Sequence, residues 1–321
     1  MGDELARFNA EWESHRESFA LTTSGSTGSP KTWQLKRHLL QWSAEQTLKH
    51  FIRSENLHQL CCLPLNKVGG FMQLVRSKVW NAPIDVIPPT KNPFTTYSGK
   101  ASIVSLTPMQ LNAIVKEPDS LQTLSRFQTV LIGGEPLSES LENLLLKHCP
   151  NTHFVHTFGM TETYSHFAGR VLGEPLYRII DNTEIKTSPE NTLQIKNACT
   201  ENTWLNTNDL VEIIHTNQFK WMGRIDFTIN SGGVKIQLET LESTIRQQIE
   251  TDIPFFCWWI PDEELGQKLV LYYLETEPNL ERINFNSPYE KPKMQLPLQK
   301  FVYTETGKIN RLESAKQVNL D

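Results

Sequence analysis

The residues from Thr22 to Lys31 read Thr-Thr-Ser-Gly-Ser-Thr-Gly-Ser-Pro-Lys, a run of hydroxyls and small side chains closed by a cation. That composition suits phosphate. Gly25 and Gly28 let the backbone turn tightly enough for several N–H groups to converge on anionic oxygens. The hydroxyls of Thr23, Ser24, Ser26 and Thr27 add donors, and Lys31 adds a positive charge. The competing reading is a flexible Gly/Ser surface loop. Five of the six residues from Thr22 to Thr27 are hydroxylic and an apolar run leads in, which favours phosphate.

A second phosphate-loop pattern, G-x-x-x-x-G-K-[ST], fits Gly25 to Thr32 except at Pro30. Proline there lacks the backbone freedom and the N–H that the second glycine supplies. A kinase-type loop is therefore the runner-up for this segment. Further along, carboxylates and cations sit in short ordered strings: Gly133-Gly134-Glu135-Pro136-Leu137, Thr157-Phe158-Gly159-Met160-Thr161-Glu162-Thr163, Thr207-Asn208-Asp209, Gly223-Arg224-Ile225-Asp226, Ser231-Gly232-Gly233 and Thr306-Gly307-Lys308. Taken singly, Glu162 and Asp209 read as surface carboxylates and Lys308 as a solvated charge near the terminus. His156 reads as a satisfied core histidine at a strand end.

The pattern that must position these strings is α/β. Short apolar runs at 19–22, 59–63, 84–87, 101–106, 129–132 and 153–156 predict strands. Amphipathic stretches at 38–52, 69–80, 108–116 and 138–148 predict helices between them, with Pro108 tolerated in a first turn. Such alternation predicts a mainly parallel sheet. From Tyr177 to Met222 short alternating runs with Asn, Thr and Asp between them predict a small antiparallel β region. A helix is expected at 238–249 and strands at 255–260 and 269–273. We place a domain boundary at Ile225/Asp226, giving a large α/β domain over 1–225 and a smaller, mobile α+β domain over 226–321.

The chain has 321 residues, 38% hydrophobic and 21% charged, with a net charge of −5. Two domains with real cores are expected. The negative balance argues against nucleic acid as a partner. No apolar run is long enough to span a bilayer, and the polar N-terminus is no secretory signal. Five cysteines without a C-x-x-C pair read as reduced thiols, hence a cytoplasmic protein.

Together the strings resemble, in order, the motifs of the adenylate-forming superfamily of acyl- and aryl-CoA ligases, adenylation domains and luciferases. The resemblance runs from about Thr22 to Arg311. It implies that Thr23–Gly28 and Lys31 hold the phosphates of ATP, that Gly133, Gly134 and Glu135 line the adenine, and that Phe158 and Gly159 belong to the ATP site. Thr161 contacts the α-phosphate and Glu162 holds Mg²⁺. Asp209 and Arg224 bind the ribose, and Asp226 is the hinge. Ser231, Gly232 and Gly233 line the path of the coenzyme A thiol, and Lys308 is the adenylation lysine. Phe158 departs from the family's Tyr, and Asn208 departs from its Gly. Among subfamilies the o-succinylbenzoate–CoA ligases of menaquinone synthesis are most similar, through Leu63–Gly70, Ser105–Leu111 and Arg224–Gly233. There Lys67 replaces a His, and the portion before the phosphate loop is short.

The implied chemistry activates a small aromatic carboxylate as an acyl-adenylate and then transfers the acyl group to coenzyme A. All reacting groups are anionic, so the work is positioning and charge neutralisation. For a second carboxylate on the acid the cationic candidates are Lys67, Arg76 and Arg170, with Lys67 ranked first and Thr107 as a further lining residue. Other acyl-CoA ligases, carrier-protein-loading adenylation enzymes and a non-catalytic nucleotide-binding derivative are the alternatives.

Overall fold

The computed structural model describes residues 2–23, 31–249, 253–303 and 309–318. The N-terminal segment, read above only as polar, is α1 (Gly2–Glu13). It is followed by β1 (Ser18–Thr23) and β2 (Lys31–Lys36), which pair antiparallel from Ser18↔Lys36 to Thr23↔Lys31 as a sheet of their own. The strand expected at 19–22 thus stays out of the main sheet. The phosphate-loop segment 24–30 lies outside the described residues, between register partners. Because Lys31 opens a strand, the strand–loop–helix geometry of a kinase-type loop is not available, and that runner-up falls.

The main layer alternates as expected: α2 (Arg37–Phe51), β3 (Gln59–Cys61), α3 (Val68–Val79), β4 (Ile84–Val86), β5 (Ile103–Leu106), α4 (Pro108–Ile114), α5 (Pro118–Leu124), β6 (Thr129–Ile132), α6 (Glu139–His148) and β7 (His153–Gly159). Strands β3 to β7 are mutually parallel in the order β4-β3-β5-β6-β7. β8 (His166–Val171) then adds antiparallel to β7, and β9 (Tyr177–Ile179) antiparallel to β8. β10 (Glu184–Thr187), β11 (Thr192–Lys196), β12 (Leu205–His215) and β13 (Gln218–Arg224) complete an 11-stranded order, β10-β11-β12-β13-β9-β8-β7-β6-β5-β3-β4. The region expected at 177–222 is therefore a continuation of the large sheet. β8 and β9 follow β7 as antiparallel neighbours, whereas β10 enters at the far edge and β13 returns to pair with β9.

Burial on both faces explains the unbroken apolar runs of the parallel strands. On one face Leu60, Val104, Leu106, Val130 and Ile132 pack with Leu111, Leu124, Leu141 and Leu145 from α4, α5 and α6. On the other, Cys61 packs with Leu39, Leu40, Met72 and Val75 from α2 and α3, and with Phe8 and Phe19.

The remaining elements are β14 (Thr228–Ser231), β15 (Val234–Gln237), α7 (Leu238–Gln248), β16 (Phe255–Asp262), β17 (Gly266–Leu274), β18 (Met294–Leu298) and α8 (Arg311–Ala315). Their sheet runs β15-β14-β17-β16, with β18 parallel to β17. Alternation along β16 gives it two cores: Phe255 and Cys257 join Leu241 and Ile245 of α7, while Phe256 joins Tyr272, Leu298 and Phe301. The chain divides into two compact units, one of Met1–Thr187, Gln194–Asn206 and Ile213–Lys220, the other of Ser188–Leu193, Thr207–Glu212 and Trp221–Asp321. The sequence boundary at Ile225/Asp226 falls in a 3₁₀ turn, Ile225–Phe227, of the second unit.

The start of α3 is set by a close approach. A Cβ on Gly70 would stand 2.3 Å from the Pro64 carbonyl oxygen and 2.9 Å from that of Leu63. Both are backbone atoms, so neither can swing aside. Gly70→Ala is expected to lower stability by about 1–3 kcal/mol through overpacking. Urea denaturation checks this, and an unchanged midpoint would show that α3 can shift.

Candidate active site

In the first unit the candidate residues arise at one edge of one sheet. Parallel strands place all their C-terminal ends on the same side. Lys67 follows β3, Thr107 follows β5, Gly133-Gly134-Glu135 follow β6, and Gly159 with Thr161-Glu162 follow β7. The order β4-β3-β5 means the chain reverses its direction of growth between β3 and β5. In open α/β sheets the crevice outside such a switch point is where ligands sit.

The β6 end is shaped by contact with β7. The Gly133 N–H donates to the Leu106 carbonyl at 3.1 Å. A Cβ on Gly133 would stand 2.9 Å from the Thr157 hydroxyl, which itself donates to the Ile132 carbonyl at 2.8 Å. Gly134 has φ +96°, a conformation that costs glycine nothing.

The β7 end is tighter still. The register with β8 shifts between Phe158 and Gly159, and a Cβ on Gly159 would lie 2.2 Å from the Ser165 carbonyl oxygen. The chain then makes a single 3₁₀ turn, Thr161–Thr163. The Thr163 hydroxyl donates to the Ser165 carbonyl at 2.7 Å and accepts the Met160 N–H at 3.1 Å. Tyr164 ends the turn at φ +63°, unusual for a bulky residue. Its hydroxyl accepts the Lys36 N–H at 3.1 Å. This turn holds Thr161 and Glu162 half-exposed just beyond the strand. Phe158, which lacks the family's hydroxyl, packs edge-on against Phe167, Tyr177 and Phe219 at 5.3–5.7 Å.

The acid-side candidates separate clearly. The Thr107 hydroxyl caps α4, accepting the Gln110 N–H at 3.2 Å, while Gln110 Oε1 accepts the Thr107 N–H at 3.0 Å. That capping box accounts for Thr107. Lys67 is half-buried at the N-terminus of α3. Arg170 is forked on Glu142 at 2.9 and 2.6 Å. Arg76 differs from both. It is 4% exposed, donates to the Ser165 hydroxyl at 2.8 Å, and leaves its Nε without a partner. Among the described residues no carboxylate pairs with it, and burial pushes its pKa down to about 10. Ser165 lies three residues after Glu162, so this guanidinium sits against the β7–β8 turn. Sequence reading ranked it below Lys67; only burial distinguishes it.

The second unit gathers its own group. Asp209 is buried, and burial raises its pKa against the opposing hydrogen bond from the Trp221 indole N–H (3.1 Å) and the charge of Arg224. Arg224 reaches Asp209 at 3.7 Å and Asp226 at 2.6 Å. The Asn208 amide donates to the other oxygen of Asp226 at 2.8 Å. Asn208, the departure noted in sequence, is therefore tied to the hinge candidate. The Arg224 backbone is held from both sides: its N–H donates to Glu239 at 3.0 Å and its carbonyl accepts from the Gln237 amide at 3.3 Å. Gly223 makes room, since a Cβ there would stand 2.2 Å from the Gln237 amide nitrogen. Trp221 and Gln237 were not singled out from sequence. They carry no motif, and only folding brings them to Asp209 and Arg224.

Gly232 and Gly233 have φ +60° and +82° and join Ser231↔Val234, a two-residue hairpin turn of the kind both glycines favour. Ser231 is buried with its hydroxyl unpartnered. Lys308 lies outside the described residues. Its flanks are anchored: Tyr303 and Ile309 form an antiparallel bridge, and Arg311 donates to the buried Glu242 at 2.8 Å with its guanidinium 4.2 Å from the Phe227 ring. Among the described residues no three His, Cys, Asp or Glu side chains gather for a metal, and no helix is long and apolar enough to cross a membrane.

The family profile described as "AMP-binding enzyme" matches residues 7–198. An acyl-CoA synthetase (AMP-forming)/AMP-acid ligase II-like protein from Dyadobacter fermentans superposes with a TM-score of 0.65 at 32% identity, over 98% of this chain and 94% of that one. The 2-succinylbenzoate–CoA ligase of Staphylococcus aureus is 26% identical over 90% of this chain and 65% of its own length. The o-succinylbenzoate CoA synthetase of Bacillus subtilis, in complex with its acyl-adenylate intermediate, gives a TM-score of 0.76 over 92% of this chain and 68% of that one; at 19% identity this likeness is one of fold. The chain thus spans about two thirds of the length of the curated relatives it matches. With the profile covering well over half of its residues, the chain belongs to the AMP-binding enzyme family.

Proposed function

We propose that the chain is an ATP-dependent acid–thiol ligase acting on o-succinylbenzoate or an aromatic acid of the same kind. The observation that carries this reading is that the Gly133–Glu135 and Thr157–Thr163 strings leave the C-terminal edge of neighbouring parallel strands. A carboxylate oxygen attacks the α-phosphorus of ATP, the bond to the β-phosphate breaks, and pyrophosphate leaves. The acid oxygen is then part of a phosphate ester, a far better leaving group. A coenzyme A thiol attacks the acyl carbon, its proton is released, and AMP departs.

The residues of this chain supply position and charge. Thr161, held by the turn after Gly159, would contact the α-phosphate. Gly133, Gly134 and Glu135 would line the adenine, Asp209 and Arg224 the ribose, and the 23–31 segment the outer phosphates. Lys308 would neutralise charge between carboxylate and α-phosphate. Mg²⁺ fits the donor set: it is commonly held by one or two carboxylates plus substrate phosphates, so a single half-exposed Glu162 suffices. When bound, it supplies neutralisation of phosphate charge.

Arg76 is the group we assign to the second carboxylate of the acid. A buried cation without an anion is costly, and an anionic ligand relieves that cost. Lys67 at the N-terminus of α3 would add positive potential nearby. Transfer to the thiol would follow a hinge movement at Asp226 that brings in the Ser231–Gly233 turn. ATP and coenzyme A as co-substrates imply action in the cytoplasm.

Two measurements test the reading. Pyrophosphate release with ATP and Mg²⁺ is expected to require o-succinylbenzoate, with the thioester formed when coenzyme A is added. Release with another acid alone would change the substrate, and none with any aromatic acid would sink the activity. In that assay Arg76→Met is expected to raise KM for the acid about tenfold or more, the size of a lost charged hydrogen bond. Asp209→Asn is expected to separate stability from binding. The raised pKa of Asp209 means its contribution to stability is intact below the ordinary value of 3.8 and is lost as pH rises through the folded value. The variant should therefore unfold later than wild type at pH 7, lose that advantage below pH 3.8, and bind AMP roughly tenfold more weakly. A variant less stable than wild type at pH 7 would contradict this.

A further inference from the structure

We infer that His156 is a positioning residue for the nucleotide, holding the Gly133–Glu135 backbone through a chain of hydrogen bonds that starts at the Tyr177 hydroxyl. The inference rests on the proposed reading of that segment as the adenine wall.

His156 is 6% exposed, in the interior of β7. Its Nε2 lies 3.0 Å from the Glu135 carbonyl oxygen and its Nδ1 lies 2.9 Å from the Tyr177 hydroxyl. A carbonyl only accepts, so Nε2 carries the proton. Nδ1 is then a lone pair, and Tyr177 must donate to it. The Arg170 guanidinium lies 5.8 Å from the centre of the Tyr177 ring. Arg170 is fixed by its fork on Glu142, whose carboxylate also accepts the Gly173 N–H at 2.7 Å. Both protons along Tyr177, His156 and the Glu135 carbonyl therefore point the same way, an arrangement in which one bond polarises the next.

The chain meets the candidate site at two places, backbone at the Glu135 carbonyl and a ring at Phe158. The Glu135 carbonyl belongs to the turn that begins with Gly133 and Gly134, where no strand pairing fixes the peptide planes. Tyr177 also stacks on Phe219 at 5.4 Å and meets Phe158 edge-on at 5.3 Å. One relay thus holds the β6 end by hydrogen bonding and the β7 end by packing. Only a neutral imidazole has a donor and an acceptor on opposite sides of one rigid ring. Burial, with the charge of Arg170, keeps it neutral by pushing its pKa down to about 4.

The test compares His156→Phe with His156→Gln, whose amide N–H can still reach the Glu135 carbonyl. Dissociation constants for AMP are measured by equilibrium dialysis, apart from acid-dependent pyrophosphate release, so a failed ligase assay does not hide the result. His156→Phe is expected to weaken AMP binding about tenfold, or about 1.4 kcal/mol, and His156→Gln to stay within about threefold of wild type. Nitrogen-15 histidine spectra should show the resonance missing from the variants as a neutral Nε2–H tautomer at pH 7. An Nδ1–H tautomer or an imidazolium overturns the chain whatever the variants do. Equal AMP affinity in wild type and both variants overturns the positioning role, even if the variants melt earlier.

Discussion

Parallel pairing is the constraint from which the site follows. Two parallel strands cannot be joined by a tight turn, so each of β3, β5 and β6 must hand the chain to a helix before the next strand begins. The loops that start those crossovers all leave from the same edge. Lys67, Thr107, Gly133–Glu135 and Thr161–Glu162 are scattered over nearly a hundred positions of sequence, yet each lies in a segment that leaves the C-terminal end of a parallel strand. Where β5 passes to the other side of β3, two neighbouring loops leave in opposite directions and a crevice opens between them.

Close backbone contact then refines that edge. Gly159 exists because the Ser165 carbonyl crosses where a Cβ would stand, and Gly133 because the Thr157 hydroxyl does. The same rule recurs at Gly223, where the Gln237 amide fills the space a side chain would take. These glycines are explained by what lies against them. Gly134, Gly232 and Gly233 are explained by positive φ instead. Two different physical demands therefore underlie motifs that look alike in sequence.

Buried charge marks the functional groups more sharply than motif position does. Glu142 with Arg170 and Glu242 with Arg311 are complete ion pairs, each closed by an added backbone N–H. They hold structure: the first ties Arg170 of β8 to α6, the second anchors the segment after Lys308. Asp209 and Arg76 are not closed in this way. Asp209 is held ionised against its burial by an indole N–H and a distant guanidinium, and Arg76 has a hydroxyl where a carboxylate would serve it better. Incomplete compensation of this kind is costly in an isolated protein and is offset when a ligand of opposite character arrives.

The alternation of strands and helices, the apolar runs of β3, β5 and β6 and the helix at α7 were legible from residues alone, because periodicity is a local property. So was the order of the phosphate, adenine and ribose strings, which resemblance carries without geometry. Tertiary structure decided the rest. It placed β1 and β2 in a hairpin of their own, joined β8–β13 to the large sheet, and gave Thr107 to a helix cap. It separated Arg76 from Arg170, two arginines that no local pattern tells apart, by putting a carboxylate beside one and, among the described residues, none beside the other. Strand partners and charge partners come from distant parts of the chain, and pairing between distant residues leaves no periodic trace in a single sequence.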